Sequence, residues 1–569
     1  MDVPGGPLQI PVPRMVTCLR RYTWQTAASD ALAGVTVGFV ALPLAMAFAI
    51  ASGLSPQSGL YCAVVAGGLI SLFGGSRVQI GGPTGASVVI VAGIVTRYGV
   101  DGLFMCTMLA GGILIALGVT GMGSAIRFIP RPVVVGFTNG IAVLIASTQI
   151  RDFFGLQMAS GPSEFLPRMR ALVQAADTWS PAATALSGAA LVCIIVAARI
   201  SRRIPGSIIV LVAATLAVVA FGLNVETIGT RFGGVPGGLP AFRMPHFHLA
   251  TLGALVMPAV TVAMLGAIES LMSATVADRL SGDRHDPNVE LVAQGIANIA
   301  SPLVGGLPAT GAIARTATNV RSGARTPVAG VIHAITLLLI LLFAAPLARY
   351  IPLAVLSAIL LFVAYNMGEW REIPELLRLT KTDVTVWMVT FALTVFTDLT
   401  ISVSVGMALA ALLFIRRVVD TTTVSPVTDE YVREGHVHSL QTKSIPRYVK
   451  IFRIHGPFLF GTTDKLHVVY DHLNSLPEVV VLRLRNMTAL DATGLRAIEE
   501  LAVAMQQSGR CLILCGARHQ PARLIARADF HRHVGDANIC ANVHDALERA
   551  AVVHSERQSK TVSAREASA

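Results

Sequence analysis

The chain has 569 residues, 53% of them hydrophobic and 14% charged, with 44 basic against 33 acidic side chains. A soluble domain is about 45–50% apolar and about 25% charged, so an ordinary soluble enzyme and a disordered chain are both excluded. The net charge of +11 does not point to nucleic acid. The arginines cluster at the ends of apolar runs, where positive charge fixes membrane topology, and no basic patch with interleaved aromatics occurs.

Residues 1–30 read as a polar cytoplasmic segment carrying Arg14, Arg20 and Arg21, without the short apolar core and cleavage site of a signal peptide. The apolar excess lies in residues 31–417. A spanning helix needs about 20 apolar residues. Candidates fall near 31–52, 59–74, 102–121, 132–155, 183–200, 206–223, 250–275, 288–304, 326–344, 350–367, 383–397 and 400–416. Two more segments, Pro83 to Thr96 and Gly311 to Arg321, are too short and too rich in small residues to cross alone. Together they predict 14 segments, an even number, with both termini on one side. Arg77, Arg127, Arg131, Arg199, Arg202, Arg203, Arg279, Arg284, Arg321, Arg325, Arg416 and Arg417 all fall on that side, which makes it the cytoplasmic face of a cell (plasma or inner) membrane.

The two short segments resemble each other: Gly82-Pro83-Thr84-Gly85-Ala86-Ser87 and Pro308-Ala309-Thr310-Gly311-Ala312-Ile313 both carry Thr-Gly-Ala where a broken helix starts. They are third in the first half and third in the second, which predicts 7+7 inverted repeats with a binding site at the membrane midplane. Two helix N-termini facing one space present unbonded N–H groups and about half a positive charge each, an anion site made of backbone. Gly85, Ala86, Gly311 and Ala312 let a ligand reach that backbone, and Thr84, Ser87 and Thr310 offer hydroxyls.

Arg315 lies one turn into the second half-helix, and an arginine at membrane depth marks a functional site. Glu269 is the only carboxylate between Val256 and Thr275. It is the candidate for proton coupling, its bland alternative being a packing role paired with Arg315. Phe48, after the kinking Pro43, can face the same cavity. Asn139 and Gln149 read as interhelical hydrogen-bond partners, and Asp398 as interfacial. The seven cysteines form neither a disulfide framework nor a zinc site. No P-loop, paired-histidine motif or Ser/His/Asp spacing supports an enzyme, and no cofactor is expected.

From residue 418 the chain turns polar: a linker to 446 with Thr421-Thr422-Thr423 and Asp429-Glu430, a small α/β domain over 447–551, and a tail over 552–569 expected to be disordered. Within the domain, strands are predicted at Val449–Ile454, Val479–Leu484 and Cys511–Cys515, with helices at Thr463–Ser475 and Ala492–Gln507.

Leu42-Pro43-Leu44-Ala45-Met46-Ala47-Phe48-Ala49, Gly59-Leu60-Tyr61, Gly74-Gly75-Ser76 and Gly81 to Ala86 together resemble the sulfate permease family, related to solute carrier family 26. Gly266-Ala267-Ile268-Glu269-Ser270, Ala277-Asp278 and Glu290 to Asn298 extend the resemblance in the family's order over nearly the whole chain. The resemblance implies a multi-pass α-helical membrane protein with core and gate domains, an anion site between the third and tenth helices, a cytoplasmic STAS domain and a homodimer. It places Phe48, Thr84 to Ser87, and Gly311 to Arg315 at the family's binding positions. It implies secondary transport of a small anion, sulfate favoured, with bicarbonate or a dicarboxylate and an uncoupled exchanger or channel as alternatives; proton symport is expected from Glu269, whose protonation would restore the positive field for a divalent anion. A nucleobase permease would share the helical fold but not the STAS tail. Where sodium-coupled relatives carry aspartate and two threonines, this chain has Glu269, Ser273 and Ile313, which argues against sodium; where many animal relatives have glutamine, it has Leu44. In the tail, Asp491-Ala492-Thr493-Gly494 resembles the STAS loop whose hydroxyl is phosphorylated in regulatory relatives. That makes Thr493 a candidate regulatory phosphosite and implies a cytoplasmic protein that binds the domain; the local alternative is a helix cap made by Asp491 or Thr493.

Overall fold

The structure, a computed structural model, describes residues 12–566 except 21, 124–129, 159–161, 163, 201–205, 235–237, 241, 243, 245–250, 379, 398 and 428–444. Arg21, Arg127, Arg202, Arg203, Asp398 and the Asp429-Glu430 pair lie outside the described residues. Two compact units divide the chain, Met1–Ala410 and Ala411–Ala569.

In the first unit a helix lies at every apolar segment the sequence singles out. A short α1 (Arg14–Leu19) precedes α2 (Trp24–Ala51), which begins ahead of the expected Ala31 because Thr23 Oγ1 caps it, accepting from Thr26 N at 3.3 Å. Then come α3 (Pro56–Phe73), the two-residue strand β1 (Gly81–Gly82) and α4 (Gly85–Val119). Gly99, at φ 72° and ψ −176°, breaks α4 in two, so a half-helix and a full helix follow each other there. The first half continues with α5 (Arg131–Phe154), α6 (Phe165–Gln174), α7 (Pro181–Ile200), α8 (Gly206–Phe221) and α9 (Ile228–Phe232). The second half runs α10 (Leu252–Ser281), α11 (Pro287–Ala300), β2 (Thr310–Gly311), α12 (Ile313–Arg321) and α13 (Val328–Ala348). It ends with α14 (Leu353–Met367), α15 (Glu372–Arg378), α16 (Lys381–Phe396) and α17 (Leu399–Thr421). Among the described residues, 8 helical stretches are long and apolar enough by themselves to cross a membrane.

The helices pack as two bundles. One gathers α2, α3, α4 and α10 to α13; the other gathers α5, α7, α8, α14 and α16. Small residues set the closest approaches: a Cβ on Gly111 of α4 would sit 2.7 Å from the Gly295 carbonyl of α11, so the backbones touch there. In the second bundle Trp387 Nε1 donates to Asn139 Oδ1 at 3.0 Å, an interhelical bond from α16 to α5. Gln149 differs from its expected role, because its amide is taken up by the neighbouring Thr148 hydroxyl on the same helix, at 2.6 Å.

Asp30, fully buried near the start of α2, fastens the first bundle. Its carboxylate accepts from Arg325 N at 2.7 Å, from Thr326 N at 3.2 Å and from the Thr326 hydroxyl at 2.5 Å, so it caps the turn leading into α13.

The second unit is a five-stranded sheet in the order β3-β4-β5-β6-β7, made of Thr423–Pro426, Val449–Phe458, Val479–Leu490, Cys511–Cys515 and Ile539–Cys540. Only the β3–β4 pair is antiparallel. Alternation sorts the central strands: Val480, Leu482 and Leu484 face one apolar core with Ile498, Leu501 and Met505, while Val479 and Val481 face a second core. The helices are α18 (His467–Tyr470), α19 (Ala492–Gln507), α20 (His519–Arg527), α21 (His531–Val534) and α22 (Val543–Glu566). The single helix expected over Thr463–Ser475 is α18 flanked by two 3-10 turns. The tail also departs from expectation, since α22 carries helix through Glu566 where disorder was predicted from 552. Val543, Ala546, Ala550 and Val553 pack it on the second core, and Arg557 Nη1 donates to the Gly509 carbonyl at 2.6 Å. All seven cysteines are free thiols, and burial pushes the Cys515 thiol up to about 12, outside the reactive range.

Asp30→Ala leaves two backbone N–H groups and one hydroxyl of the α12–α13 turn without a partner. The expected destabilisation is about 2–4 kcal/mol, read as a lower thermal midpoint of the detergent-purified chain, with Asp30→Asn intermediate.

Candidate functional site

The two half-helices are joined before they begin. Gly81 and Gly82 pair antiparallel with Gly311 and Thr310, and Ala312 N donates to the Ile80 carbonyl at 2.8 Å. Glycine is required at this crossing. Gly82 has φ +142° and the space for its Cβ lies 2.8 Å from Arg315 Nη1, while a Cβ on Gly311 would lie 1.9 Å from Gln79 Nε2. The pairing brings the start of α4 and the start of α12 together, and no side chain caps either start. The first N–H groups of both helices are thus left unbonded by the helices themselves.

Arg315 bridges the two starts. It is 2% exposed, its Nη2 donates to the Pro83 carbonyl just before α4, and its Nη1 has no hydrogen-bond partner among the described residues. Among the described residues no carboxylate lies within ion-pair distance of it, so the direct pairing of Arg315 with Glu269 that the sequence left open is not formed. Glu269 is held by both Thr-Gly-Ala motifs at once: Thr84 Oγ1 and Thr310 Oγ1 donate to its Oε2 at 2.8 and 2.7 Å, and the two hydroxyls are 3.0 Å apart. Glu269 and Ile313 are half-buried and Ala314 is exposed, whereas Thr84, Thr310 and Arg315 are closed in.

The hydroxyls expected to offer themselves to a ligand are therefore engaged elsewhere. Those of Thr84 and Thr310 go to Glu269, and that of Ser87 donates to the Thr84 carbonyl at 2.8 Å. Ala312 N is likewise taken by the Ile80 carbonyl, so what remains for an anion is backbone N–H at the two helix starts, at Gly85, Ala86 and Ser87 and from Ile313 onward, together with the guanidinium. Phe48 stands over the first start: a Cβ on Gly85 would lie 3.3 Å from Phe48 Cε1 and equally far from Met367 Sδ and Ile145 Cδ1.

Four residues behind this junction were not singled out as site residues. Gln79 Nε2 donates to the Ser270 carbonyl at 3.1 Å, the Ser270 hydroxyl accepts from Gly311 N at 2.9 Å, and Thr316 Oγ1 accepts from Ile80 N at 3.0 Å. Asn319 Nδ2 donates to the Val78 carbonyl at 2.9 Å. Their signal in the sequence is a polar residue inside an apolar run, but nothing local says which backbone each one meets. Ser273, expected where a cation ligand stands in sodium-coupled relatives, lies 3.0 Å from the Thr316 hydroxyl instead. Among the described residues no cluster of histidine, cysteine and acidic side chains could hold a metal. In the second unit Asp491 caps α19, accepting from Gly494 N at 2.7 Å, and Thr493 is exposed in the first turn.

The sequence profile of the sulfate permease family matches residues 28–390, and that of the STAS domain matches 439–546. The chain belongs to the sulfate permease family. A putative sulfate transporter of Bacillus subtilis, YvdB, is 40% identical over 90% of this chain and 96% of its own length. The bicarbonate transporter BicA of Synechocystis is 31% identical, covering 92% of this chain and 94% of its own. The inward-facing structure of the murine solute carrier 26 family member A9 superposes with TM-score 0.85 at 18% identity, over 95% of this chain and 94% of that one. The fold is thus that of a helical membrane transporter with a C-terminal STAS domain. As a member of the sulfate permease family, the protein is a transporter of anions and not an enzyme.

Gly311→Ala forces Gln79 and the Ser270 backbone away from the crossing. Overpacking of this kind costs about 1–3 kcal/mol. A lowered thermal midpoint is expected together with loss of anion uptake, whereas Gly93→Ala, with open space around its Cβ position, should leave both unchanged.

Proposed function

We propose that this chain carries sulfate across the cell membrane together with a proton, by alternating access. The observation that carries the reading is the buried Arg315 guanidinium, which has no carboxylate within ion-pair distance among the described residues and sits between two uncapped helix starts. A charge taken out of water without a partner is costly, so the site is built for a negative guest. Two helix ends contribute roughly one positive charge and Arg315 one more, while ionised Glu269 cancels one. Protonation of Glu269 restores the field a divalent anion needs.

Glu269 Oε2 accepts from the two threonine hydroxyls, which leaves Oε1 to gain and lose the proton in this reading. The same hydroxyls belong to both half-helices, and the carboxyl thereby senses the junction that receives the anion. Rocking of one helix bundle against the other exposes this junction to either side in turn. The arginine distribution supports both termini and the STAS domain in the cytoplasm.

Bicarbonate is the second reading, favoured by the similarity to BicA. A singly charged anion would need only the field left when Glu269 stays ionised.

Labelled sulfate uptake into proteoliposomes under an inward proton gradient, an inward sodium gradient or neither tests the proposal. Uptake driven by protons and indifferent to sodium is expected. Glu269→Gln should abolish the rise in uptake as the external pH falls while leaving sulfate binding intact; a pH dependence that survives the substitution removes Glu269 from coupling. Bicarbonate uptake without sulfate uptake would move the substrate to the second reading.

Arg315→Gln should weaken anion binding roughly 30-fold or more, from the 2–5 kcal/mol typical of a buried charge contact. Isothermal titration of the purified protein measures it.

A further inference from the structure

One face of α11 reaches both arms of the crossing. Glu290, Gln294 and Asn298 are spaced four residues apart, and all three are buried. At one end, Glu290 Oε2 accepts from Gly75 N at 3.0 Å, on the stretch that leads into β1, and Gln294 Nε2 donates to Glu290 Oε1 at 2.9 Å. At the other end, Asn298 grips the peptide groups of Ala309, the residue just before β2. Its Nδ2 donates to the Ala309 carbonyl at 2.8 Å and its Oδ1 accepts from Ala309 N at 2.9 Å. The side-chain amide thus takes the place a neighbouring strand would occupy.

The helix that carries these groups is itself fixed. Asp286 caps its start, accepting from Asn288 N at 2.9 Å and Val289 N at 3.2 Å, and Gly295 lies against the backbone of α4. Beyond Ala309 each polar atom of the arm is set in turn: Thr310 Oγ1 on Glu269, Gly311 N on the Ser270 hydroxyl and Ala312 N on the Ile80 carbonyl. A shift at Ala309 therefore moves the Thr310 hydroxyl off Glu269 and tilts the first turn of α12, where Arg315 is rooted.

We propose that Asn298 is a positioning residue, which sets the height of β2 through the Ala309 peptide groups and thereby registers the α12 start and Thr310 against Glu269. It touches neither the anion nor the proton. Its kinetic consequence rests on the anion and proton reading above, whereas its structural consequence does not.

Both are tested on the full-length chain in lipid nanodiscs and proteoliposomes. In Asn298→Ala, hydrogen exchange in the peptide spanning 307–316 should be at least tenfold faster, with the 288–296 segment of α11 unchanged. KM for sulfate should rise about tenfold and the midpoint of the pH profile should move, at a maximal rate changed less than KM. Asn298→Asp keeps the size and the acceptor but turns a carboxylate oxygen toward the Ala309 and Gln294 carbonyls, to both of which Asn298 Nδ2 donates at 2.8 Å. It should show the same exchange increase, and it serves where the alanine variant does not fold. Unchanged exchange at 307–316 overturns the proposal. So does a variant that loses only thermal stability and active fraction while KM and the pH profile stay where they were. If the wild-type protein moves no anion, the transport reading fails, and the exchange measurement still decides the role of Asn298.

Discussion

The short antiparallel pairing of Gly81-Gly82 with Thr310-Gly311 is the constraint on which the rest of the membrane unit depends. Two extended segments at membrane depth have backbone groups that lipid cannot satisfy, and each arm satisfies the other. Because the arms run antiparallel, the helices that leave them point their N-termini at a common space. Neither half-helix spans a bilayer by itself, and neither has a capping side chain. Their free N–H groups, and the positive end of each helix, are consequences of where the strands stop.

Around this pairing the polar side chains divide into two sets with different tasks. Gln79, Ser270, Thr316, Asn319 and Asn298 answer backbone groups and hold the arms at a fixed height. Arg315 and Glu269 carry the charge, and the structure keeps them apart: one is bonded to the Pro83 carbonyl, the other to two threonine hydroxyls. A direct ion pair would neutralise both and leave nothing to attract a guest. In the mechanism we propose, this separation keeps each responsive, the guanidinium to an anion and the carboxyl to a proton.

Much of this was legible in the sequence, for reasons that can be named. Apolar runs of membrane length mark the helices, because only that pattern suits lipid. The repeated Thr-Gly-Ala marks the two half-helix starts, and a lone glutamate and a lone arginine in apolar context mark the charges. Three things were not legible. The hydroxyls of Thr84 and Thr310 looked like ligand contacts, because a sequence cannot show that a carboxylate more than 40 residues from one of them and 185 from the other would claim them first. Asn298 stands in a segment, 288–304, that reads as a membrane span, and only the fold reveals that it meets Ala309. The end of α22, from 552, reads as a disordered tail, since its small and polar residues carry little apolar signal until the sheet supplies a face for Val553 and the helix before it.

The crossing also dictates when the protein can be finished. Thr84 and Thr310 are 226 residues apart, so the first arm emerges from the ribosome long before its partner exists. During that interval the Gly81-Gly82 backbone has no strand to pair with, and the first half-helix has no fixed resting depth. The amino-terminal half is an obligate intermediate that must be sheltered, by water or by the insertion machinery, until the second half arrives. A chain truncated before Thr310 would have every described helix of the first repeat, with α10 and α11 besides, and still be unable to close its own backbone.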